Sequence, residues 1–398
     1  MGAFVTDRAV PLEGVKVLEL AEGVAGPFAG KMMGAMGADV IKVEPPGRGD
    51  AARAFPPFLD DAPHPETSGL FLYLNTNKRG VTLDLAHPSG RELARRLVGW
   101  ADVIVESSAP GRLAEWGLGY EAIAPLNPGA ILVSVTPFGQ DGPYRDYQSS
   151  DLVALALGGL LYITGEPDRE PLKLGGQPSE YFAGLAAFSA AMVALHHRDA
   201  GGEGQHVDVS VLEGIATAQM YAGLNYAYLH ENRRRQNAFA PMFRAKDGHV
   251  GVMYRQPNWP TFCEMIGHPE LVRDERFRDV AARRDHAGEL NAIVAEWMAS
   301  QPKEELYHRA QAARMPFGYI CDARDLIESP QYGARGYFQE IDHPLAGRHL
   351  YPGMPIHWGH ERWELHGAPL LGAHNAEVYG GLGVSGEELA VLRACGAI

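Results

Sequence analysis

Two apolar runs near the start of the chain, VKVLEL at Val15–Leu20 and DVIKV at Asp39–Val43, decide the fold class. Each run is short and rich in β-branched residues, as β-strands are. A glycine-rich turn, EGVAGP at Glu22–Pro27, separates them, followed by a helix of small residues that extends to about Gly37. This order predicts two parallel strands joined by a helix.

The same alternation continues along the first half of the chain. It predicts strands at Val81–Leu85, Asp102–Val105, Ile131–Val135 and Gln205–Ser210, and helices at about Ser89–Trp100, Pro178–Leu195 and Leu212–Leu229. We therefore expect an α/β fold with a mostly parallel sheet covered by helices. Ligands of such sheets bind beyond the carboxyl ends of the strands, so a cofactor is expected to bind near the turn Glu22–Pro27. Its glycines follow neither the GxGxxG nor the P-loop pattern.

Composition limits the class of protein. The chain has 398 residues, which exceeds one ordinary compact core, and its 46% hydrophobic and 21% charged residues are typical of a soluble globular protein. The formal net charge is −14, and the one notable basic cluster, Arg233–Arg235, is interpreted as a solvated turn. Nucleic acid is therefore not expected as a partner, because a phosphate backbone requires a clustered basic face.

Cysteine usage and hydropathy predict a cytoplasmic protein without a metal site. Cys263, Cys321 and Cys395 lie far apart and form no CxxC pair, which disfavours disulfides and zinc. The segment Met1–Pro11 lacks the pattern of a signal peptide. The most apolar segment, Leu152–Thr164, is too short to span a bilayer, so no membrane partner is expected.

One carboxylate stands out. In QPSEYFAG at Gln177–Gly184, Pro178 and Ser179 are typical of a helix start and place Glu180 in the first turn. The positive end of the helix dipole favours a negative charge there. Acidic residues are common in first turns for this reason alone, so the position becomes informative only together with the rest of the chain.

Several motifs follow one another in order along the chain. The most recognisable is GADVIKVEPP at Gly37–Pro46 with Gly49, Asp50 and Arg53. The others are LEGVKVLEL at Leu12–Leu20, NTNKR at Asn75–Arg79, ADVIVE at Ala101–Glu106, GLGYE at Gly117–Glu121, PFGQDGPY at Pro137–Tyr144, GQHVDVS at Gly204–Ser210 and APLLGAHN at Ala368–Asn375. Together they resemble the family III CoA-transferases, the group that includes formyl-CoA and carnitine CoA-transferases and the α-methylacyl-CoA racemases.

The resemblance implies a Rossmann-like large domain built from both chain ends, a smaller α+β domain, and an interlocked dimer. We expect the large domain at 1–225, the small domain at 226–330, and a segment at 331–398 that returns to the large domain. The resemblance also implies CoA or acyl-CoA as a substrate, with no tightly bound cofactor. The candidate CoA contacts are Gly23, Val24, Ala25, Asn77, Lys78, Ser107, Ser108, Gly111, Trp116 and Asp151.

The resemblance further implies that Glu180 is the nucleophile, because the transferases keep an Asp at its position. A carboxylate there attacks an acyl-CoA thioester to form a mixed anhydride, and the CoA thiolate then returns to form an enzyme thioester. The expected function is therefore transfer of CoA between carboxylic acids. Glu has the same functional group as Asp with one more methylene.

Departures from the family pattern leave two alternatives open. Ser107, Ser108, Glu115, Pro45 and Gln148 stand where relatives carry Asn, Phe or basic residues, which removes cations from the CoA path. Arg48, Arg53, Lys78 and Arg112 are candidate replacements. The first alternative is a non-catalytic subunit that pairs with a catalytic homologue, so both a homodimer and a heteromer are considered.

The second alternative is a racemase. That branch uses a His-Asp pair at the segment corresponding to Ser149–Asp151, and here Ser150 replaces the His. Serine has no pKa suited to moving an α-proton near neutral pH, so this reading is disfavoured.

Overall fold

The computed structural model describes residues 10–166, 168–232, 242–357 and 364–398. The basic cluster Arg233–Arg235 and most of the segment Met1–Pro11 lie outside the described residues. By contacts between residues, the chain divides into two units. Unit 1 comprises Met1–Leu161, Lys173–Asn232 and Ala334–Ile398, and unit 2 comprises Tyr162–Leu172 and Arg233–Gly333. The domain limits expected from the sequence stay a prediction.

Unit 1 contains a parallel six-stranded sheet, which confirms the α/β class. Its strands are β1 Lys16–Glu19, β2 Asp39–Glu44, β3 Lys78–Thr82, β4 Val103–Glu106, β5 Ile131–Thr136 and β6 His206–Ser210. The spatial order is β3-β2-β1-β4-β5-β6. The order reverses at β1, where Val17 pairs with Val40 on one side and Val103 on the other. In open parallel sheets, ligands bind beside such a reversal.

Helices cover both faces of this sheet. They are α1 Ala25–Ala35, α2 Gly69–Leu74, α3 Pro88–Trp100, α4 Arg112–Glu115, α5 Tyr120–Leu126, α6 Asp151–Leu157, α7 Pro178–Asp199, α8 Val211–Ala218 and α9 Met220–Leu229. Leu93, Leu97 and Ile123 bury one face, and Ala183, Ala187 and Ala191 of α7 bury the other. Small side chains on α7 let it approach the sheet and α1 closely.

Helix α7 is the one helix within the described residues that is long and apolar enough to cross a membrane by length and composition. This observation is weak evidence, because the core helix of a soluble protein passes the same test. The burial of Ala183, Ala187 and Ala191 agrees with the role of a core helix.

Unit 2 has its own core and a small antiparallel sheet. It contains β7 Met242–Ala245, β8 Gly248–Gly251, α10 Trp259–Met265, α11 Val280–Asp285, α12 Ala287–Ala299, α13 Lys303–Ala312, β9 Gly318–Tyr319, α14 Ala323–Glu328 and α15 Pro330–Arg335, of which the last two residues belong to unit 1. Trp259, Phe262 and Phe277 dominate its core.

The C-terminal part of the chain completes unit 1. It forms β10 Phe338–His343, β11 Gly347–Pro352, α16 Asn375–Gly381 and α17 Gly386–Ala394. Two hydrogen bonds join this part to strand β3. The Tyr379 hydroxyl donates to the Thr82 carbonyl oxygen at 2.8 Å, and the Asn375 carboxamide oxygen accepts from the Thr82 amide at 2.8 Å. Val378, Tyr379 and Leu389 belong to the core on the α3 side of the sheet.

Two elements differ from the sequence-based prediction. The third strand was expected at Val81–Leu85 but occupies Lys78–Thr82, because the chain turns at Asp84, whose carboxylate accepts from the Ala86 amide. The helix expected at Leu212–Leu229 is two helices, because Gln219 has φ −114° and ψ 31° and interrupts it.

Candidate active site

A cavity of about 620 Å³ opens at the carboxyl edge of the sheet. Its walls come from the turn after β1, the ends of β4 and β5, and the first turns of α6 and α7. Six of the sequence-predicted residues line it, namely Gly23, Val24, Ala25, Ser107, Asp151 and Glu180. The structure therefore brings together residues that are up to about 160 positions apart in the sequence.

Glu180 lies in the first turn of α7 and is partly buried at this cavity. Burial raises the pKa of its carboxyl group, the nearby Asp151 raises it further, and the nearby backbone N–H group of Ala25 opposes both. The carboxylate is thus less hydrated than an exposed one, and one backbone N–H group supports its charged form. A poorly hydrated carboxylate at a cavity wall is suited to nucleophilic attack.

The close packing of α1 and α7 explains why Glu180 reaches Ala25. At Gly184, one turn further along α7, an added Cβ would lie 2.6 Å from the Ala25 carbonyl oxygen and 3.1 Å from Phe28. Tyr181 and Phe28 pack edge to face with ring centroids 5.0 Å apart. Glycine at 184 is therefore required for the approach that sets the position of Glu180.

Asp151 connects α6 to the start of α7. Its Oδ1 accepts from the Ser179 amide at 3.1 Å and from the Ser179 hydroxyl at 2.8 Å, and its Oδ2 lies 2.6 Å from Lys173 Nζ. Lys173 also donates to the carbonyl oxygens of Leu174 and Gly176. Asp151 therefore orients the first turn of α7. Lys173 was not predicted, because it belongs to no recognisable motif.

The turn between β1 and α1 is fixed at its backbone. The Glu22 amide donates to Ser107 Oγ at 3.0 Å, and the Gly23 amide donates to Asp50 Oδ1 at 2.9 Å. Gly23 has φ 82°, a conformation that favours glycine. These contacts hold Val24 and Ala25 at the cavity wall.

A second, smaller cavity of about 230 Å³ lies beside the first. Ser108 and Trp116, both predicted CoA contacts, line it together with Pro45 and Arg48. Glu22 lines both cavities, and Arg48 donates two hydrogen bonds to its carboxylate at 2.7 and 2.9 Å. The Ser108 amide donates to Glu106 Oε2 at 2.7 Å, and burial raises the pKa of Glu106.

Three predicted CoA contacts line neither of these cavities. The Asn77 carboxamide bonds to the Glu364 carbonyl oxygen and the His366 amide. Lys78 is buried and pairs with Glu19 at 2.7 Å. Gly111 precedes the short helix α4 with φ 84°. None of the three faces the space in which Glu180 lies.

Two of the cations proposed as replacements are occupied in buried contacts. Arg53 binds both oxygens of Glu44 and one oxygen of Glu66, and Lys78 binds Glu19. Arg112 pairs with Glu115 at the surface. Arg48 is the candidate that lines a cavity and is exposed. Among the described residues, no group of three or more His, Cys, Asp or Glu side chains is arranged to hold a metal ion.

Comparisons with known proteins show the family of the chain. The sequence profile of CoA-transferase family III matches residues 12–375. A succinyl-CoA–D-citramalate CoA-transferase of Chloroflexus aurantiacus is 34% identical, covering 96% of this chain and 97% of that protein. A succinate–glutarate CoA-transferase of Agrobacterium fabrum is 35% identical, covering 94% and 96%. The chain therefore belongs to CoA-transferase family III.

A solved structure and a further relative extend the comparison. A CAIB/BAIF family protein from Brucella suis superposes with a TM-score of 0.84 at 32% identity, covering 94% of this chain and 99% of the other. The beta subunit of a succinyl-CoA–L-malate CoA-transferase of Chloroflexus aurantiacus is 31% identical over 98% of each chain. The chain thus shares the fold of a CAIB/BAIF family protein.

Proposed function

We propose that the protein transfers CoA between carboxylic acids, with Glu180 as the nucleophile. The single observation that carries this proposal is the partly buried Glu180 carboxylate, which lines a cavity at the switch point of the sheet together with Ala25 of the turn after β1. The family supports the reaction class, and the geometry supports the residue. The protein is expected to act on CoA thioesters without a tightly bound cofactor, in the cytoplasm.

The proposed reaction proceeds through two kinds of covalent intermediate on Glu180, a mixed anhydride and a CoA thioester. The Glu180 carboxylate attacks the thioester carbonyl, forming a mixed anhydride and releasing the CoA thiolate. The thiolate then attacks the Glu180 carbonyl carbon and displaces the donor acid, which leaves a glutamyl-CoA thioester. The acceptor carboxylate attacks this thioester, which forms a second mixed anhydride and frees the CoA thiolate. The thiolate then attacks the acyl carbon of the acceptor, which releases the new acyl-CoA and restores the Glu180 carboxylate. The Ala25 N–H and the start of α7 are placed to stabilise negative charge near Glu180.

Trapping the intermediates tests the proposal. The relatives' names point to short dicarboxylic acids as the first panel, so the purified protein is incubated with succinyl-CoA and then treated with hydroxylamine or borohydride. Mass spectrometry should locate the modification on Glu180. Glu180→Gln should lose both adduct and turnover, whereas Glu121→Gln, which removes an exposed carboxylate from the first turn of α5, should keep both. Absence of any adduct across a broad acyl-CoA panel would contradict the proposal.

A second candidate is a non-catalytic subunit that acts with a homologous partner. It is favoured by the occupation of Arg53 and Lys78 in buried ion pairs, which removes two cations from CoA binding. Calorimetric titration of the isolated protein with CoA separates the two candidates. Tight binding supports the transferase, and weak binding with activity only beside a partner chain supports the subunit. Nothing favours the racemase, since Ser150 caps α6 by accepting from the Val153 amide.

We also propose a dimer of interlocked chains, either a homodimer or a heteromer with a homologous subunit. Large apolar side chains on α6, α7 and α9 are exposed in the single chain, among them Leu157, Phe182, Leu185 and Tyr228. An exposed apolar surface of this extent is typical of a protein interface.

A further inference from the structure

A cluster of buried charges lies directly beneath the turn that faces Glu180. Lys42 Nζ lies 3.0 Å from Glu19 Oε1 and 2.7 Å from Asp50 Oδ2, and Lys78 Nζ lies 2.7 Å from Glu19 Oε2. All four side chains are inaccessible to solvent. Because an isolated buried charge is very unfavourable, the four groups are mutually dependent.

Three members of this cluster also bind the backbone of the turn Ala21–Pro27. Lys42 donates to the Ala21 carbonyl oxygen at 3.0 Å, and Lys78 donates to the Pro27 carbonyl oxygen at 2.8 Å. Asp50 Oδ1 accepts from the Gly23 amide at 2.9 Å. The turn is therefore held at its start, its middle and its end.

Asp50 divides its two oxygens between the turn and the cluster. Oδ1 accepts from the Gly23 and Ala52 amides, and Oδ2 pairs with Lys42. Burial opposes the charge of Asp50, but Lys42 and the two amides outweigh it and lower its pKa. For Lys42, burial is likewise outweighed by Asp50, Glu19 and Glu44, which raise its pKa. Both groups are therefore ionised at neutral pH, and their hydrogen bonds are charge-assisted.

We propose that Asp50, paired with Lys42, is a positioning residue that holds the turn so that the Ala25 N–H group faces the Glu180 carboxylate across the cavity wall that both residues line. Ala25 lies between two anchored positions, because the Gly23 amide is bound to Asp50 and the Pro27 carbonyl oxygen is bound to Lys78. Through this connection a buried ion pair sets the electrostatic environment of the nucleophile. The inference rests on the proposed function of Glu180.

Asp50→Asn tests this connection. The two oxygens of Asp50 face different partners, so an asparagine must turn its NH2 group either toward the Gly23 and Ala52 amides or toward the Lys42 ammonium group, and one of these contacts is lost. We expect kcat to fall about tenfold to a hundredfold with a smaller change in KM for acyl-CoA. Displacement of the Ala25 N–H group from Glu180 should also move the titration of Glu180 to higher pH. The matched control is Asp39→Asn, which breaks the partly exposed ion pair with Arg79 at the opposite end of β2. This variant should change neither kcat nor the titration of Glu180.

The titration is followed by carboxyl-carbon NMR of glutamate-labelled protein, with the Glu180 signal assigned by its absence from Glu180→Gln. This readout does not require activity, so failure of the proposed function and failure of this inference are distinguishable. An upward shift in Asp50→Asn supports the inference. An unchanged titration overturns it, even where kcat falls, because a merely structural role for Asp50 predicts that result.

A measurement on the unmodified protein covers the case in which Asp50→Asn does not fold. Hydrogen exchange at the Gly23 amide should be as slow as in the central strands, although Gly23 lies in a turn, because its acceptor is a buried carboxylate. The Gly142 amide, in an exposed loop, serves as the fast reference. Exchange at Gly23 as fast as at Gly142 would overturn the proposal.

Discussion

Lys31 is a buried lysine that, within the described residues, forms no ion pair with a carboxylate. It lies on α1, 1% exposed, where its Nζ donates to Thr76 Oγ1 at 2.8 Å and lies 4.5 Å from the centre of the Tyr73 ring. Burial, and secondarily the charge of Lys78, lower the pKa of Lys31 to about 7. The folded protein therefore binds this proton less readily than the unfolded chain does.

The sign of this shift predicts how stability depends on pH. Above the ordinary lysine pKa of 10.5, the lowered pKa of Lys31 does not change the free energy of unfolding. As the pH falls toward 7, it reduces the free energy of unfolding more and more. Lys31→Met should therefore gain stability relative to the parent as the pH is lowered from 9.5 to 7. Urea unfolding at both pH values measures the difference. Lys16→Met, at an exposed position of β1, should give no such trend, and a Lys31→Met difference independent of pH would contradict the prediction.

Sequence and structure agree unevenly on individual site residues. Glu180, Asp151 and the turn Gly23–Ala25 line one cavity, because each stands at the end of a strand or the start of a helix. Lys78 was predicted as a CoA contact on its charge, and its role in the structure depends on Glu19, which lies 59 positions earlier. The sequence alone does not show which carboxylate forms an ion pair with a given lysine. The charges of Glu19 and Lys42, each inside an apolar strand, were the available signal of a buried ion cluster.

At the scale of elements, the crossing of α1 and α7 determines the geometry of the site. Gly184→Ala should push the two helices apart, because the added Cβ would lie 2.6 Å from the Ala25 carbonyl oxygen. Overpacking of this kind costs about 1–3 kcal/mol, and the displacement of Glu180 should lower kcat as well. Thermal unfolding and turnover are the measurements.

The control for this prediction is Gly99→Ala in α3, where an added Cβ meets no atom within 4 Å. Alanine is favoured over glycine in a helix by up to about 1 kcal/mol, so this variant should be as stable as the parent or slightly more so. If Gly184→Ala behaves in the same way as Gly99→Ala, the close approach does not position Glu180.

The strands were the most predictable elements. Five of the six strands of the large sheet were placed within one or two residues, because buried parallel strands are short continuous apolar runs. Strand β3 was placed three residues late, since KRGVT begins with two charged residues whose partners come from other elements. The break at Gln219 was also not predicted, because the flanking residues remain apolar.

At the scale of the whole molecule, we predict a stable dimer. Light scattering after gel filtration should give about twice the chain mass of 43.2 kDa. If the chains are interlocked, differently tagged dimers should not exchange subunits unless they are first unfolded. A monomeric mass at micromolar concentration would contradict the dimer, and rapid exchange under native conditions would contradict the interlocking.

The placement of α16 in unit 1 has a consequence for how the protein is made. Val378 and Tyr379 complete the core beside β3, yet the ribosome produces them only after all residues of unit 2. Translation adds about 5–20 residues per second, so Val378 and Tyr379 follow the sheet residues up to Ser210 by on the order of ten seconds or more. Until then, the edge of the sheet at Thr82 lacks Asn375 and Tyr379, which bind it in the complete protein. We therefore expect chaperones to bind this edge during synthesis, and misfolding to begin where another strand pairs with it.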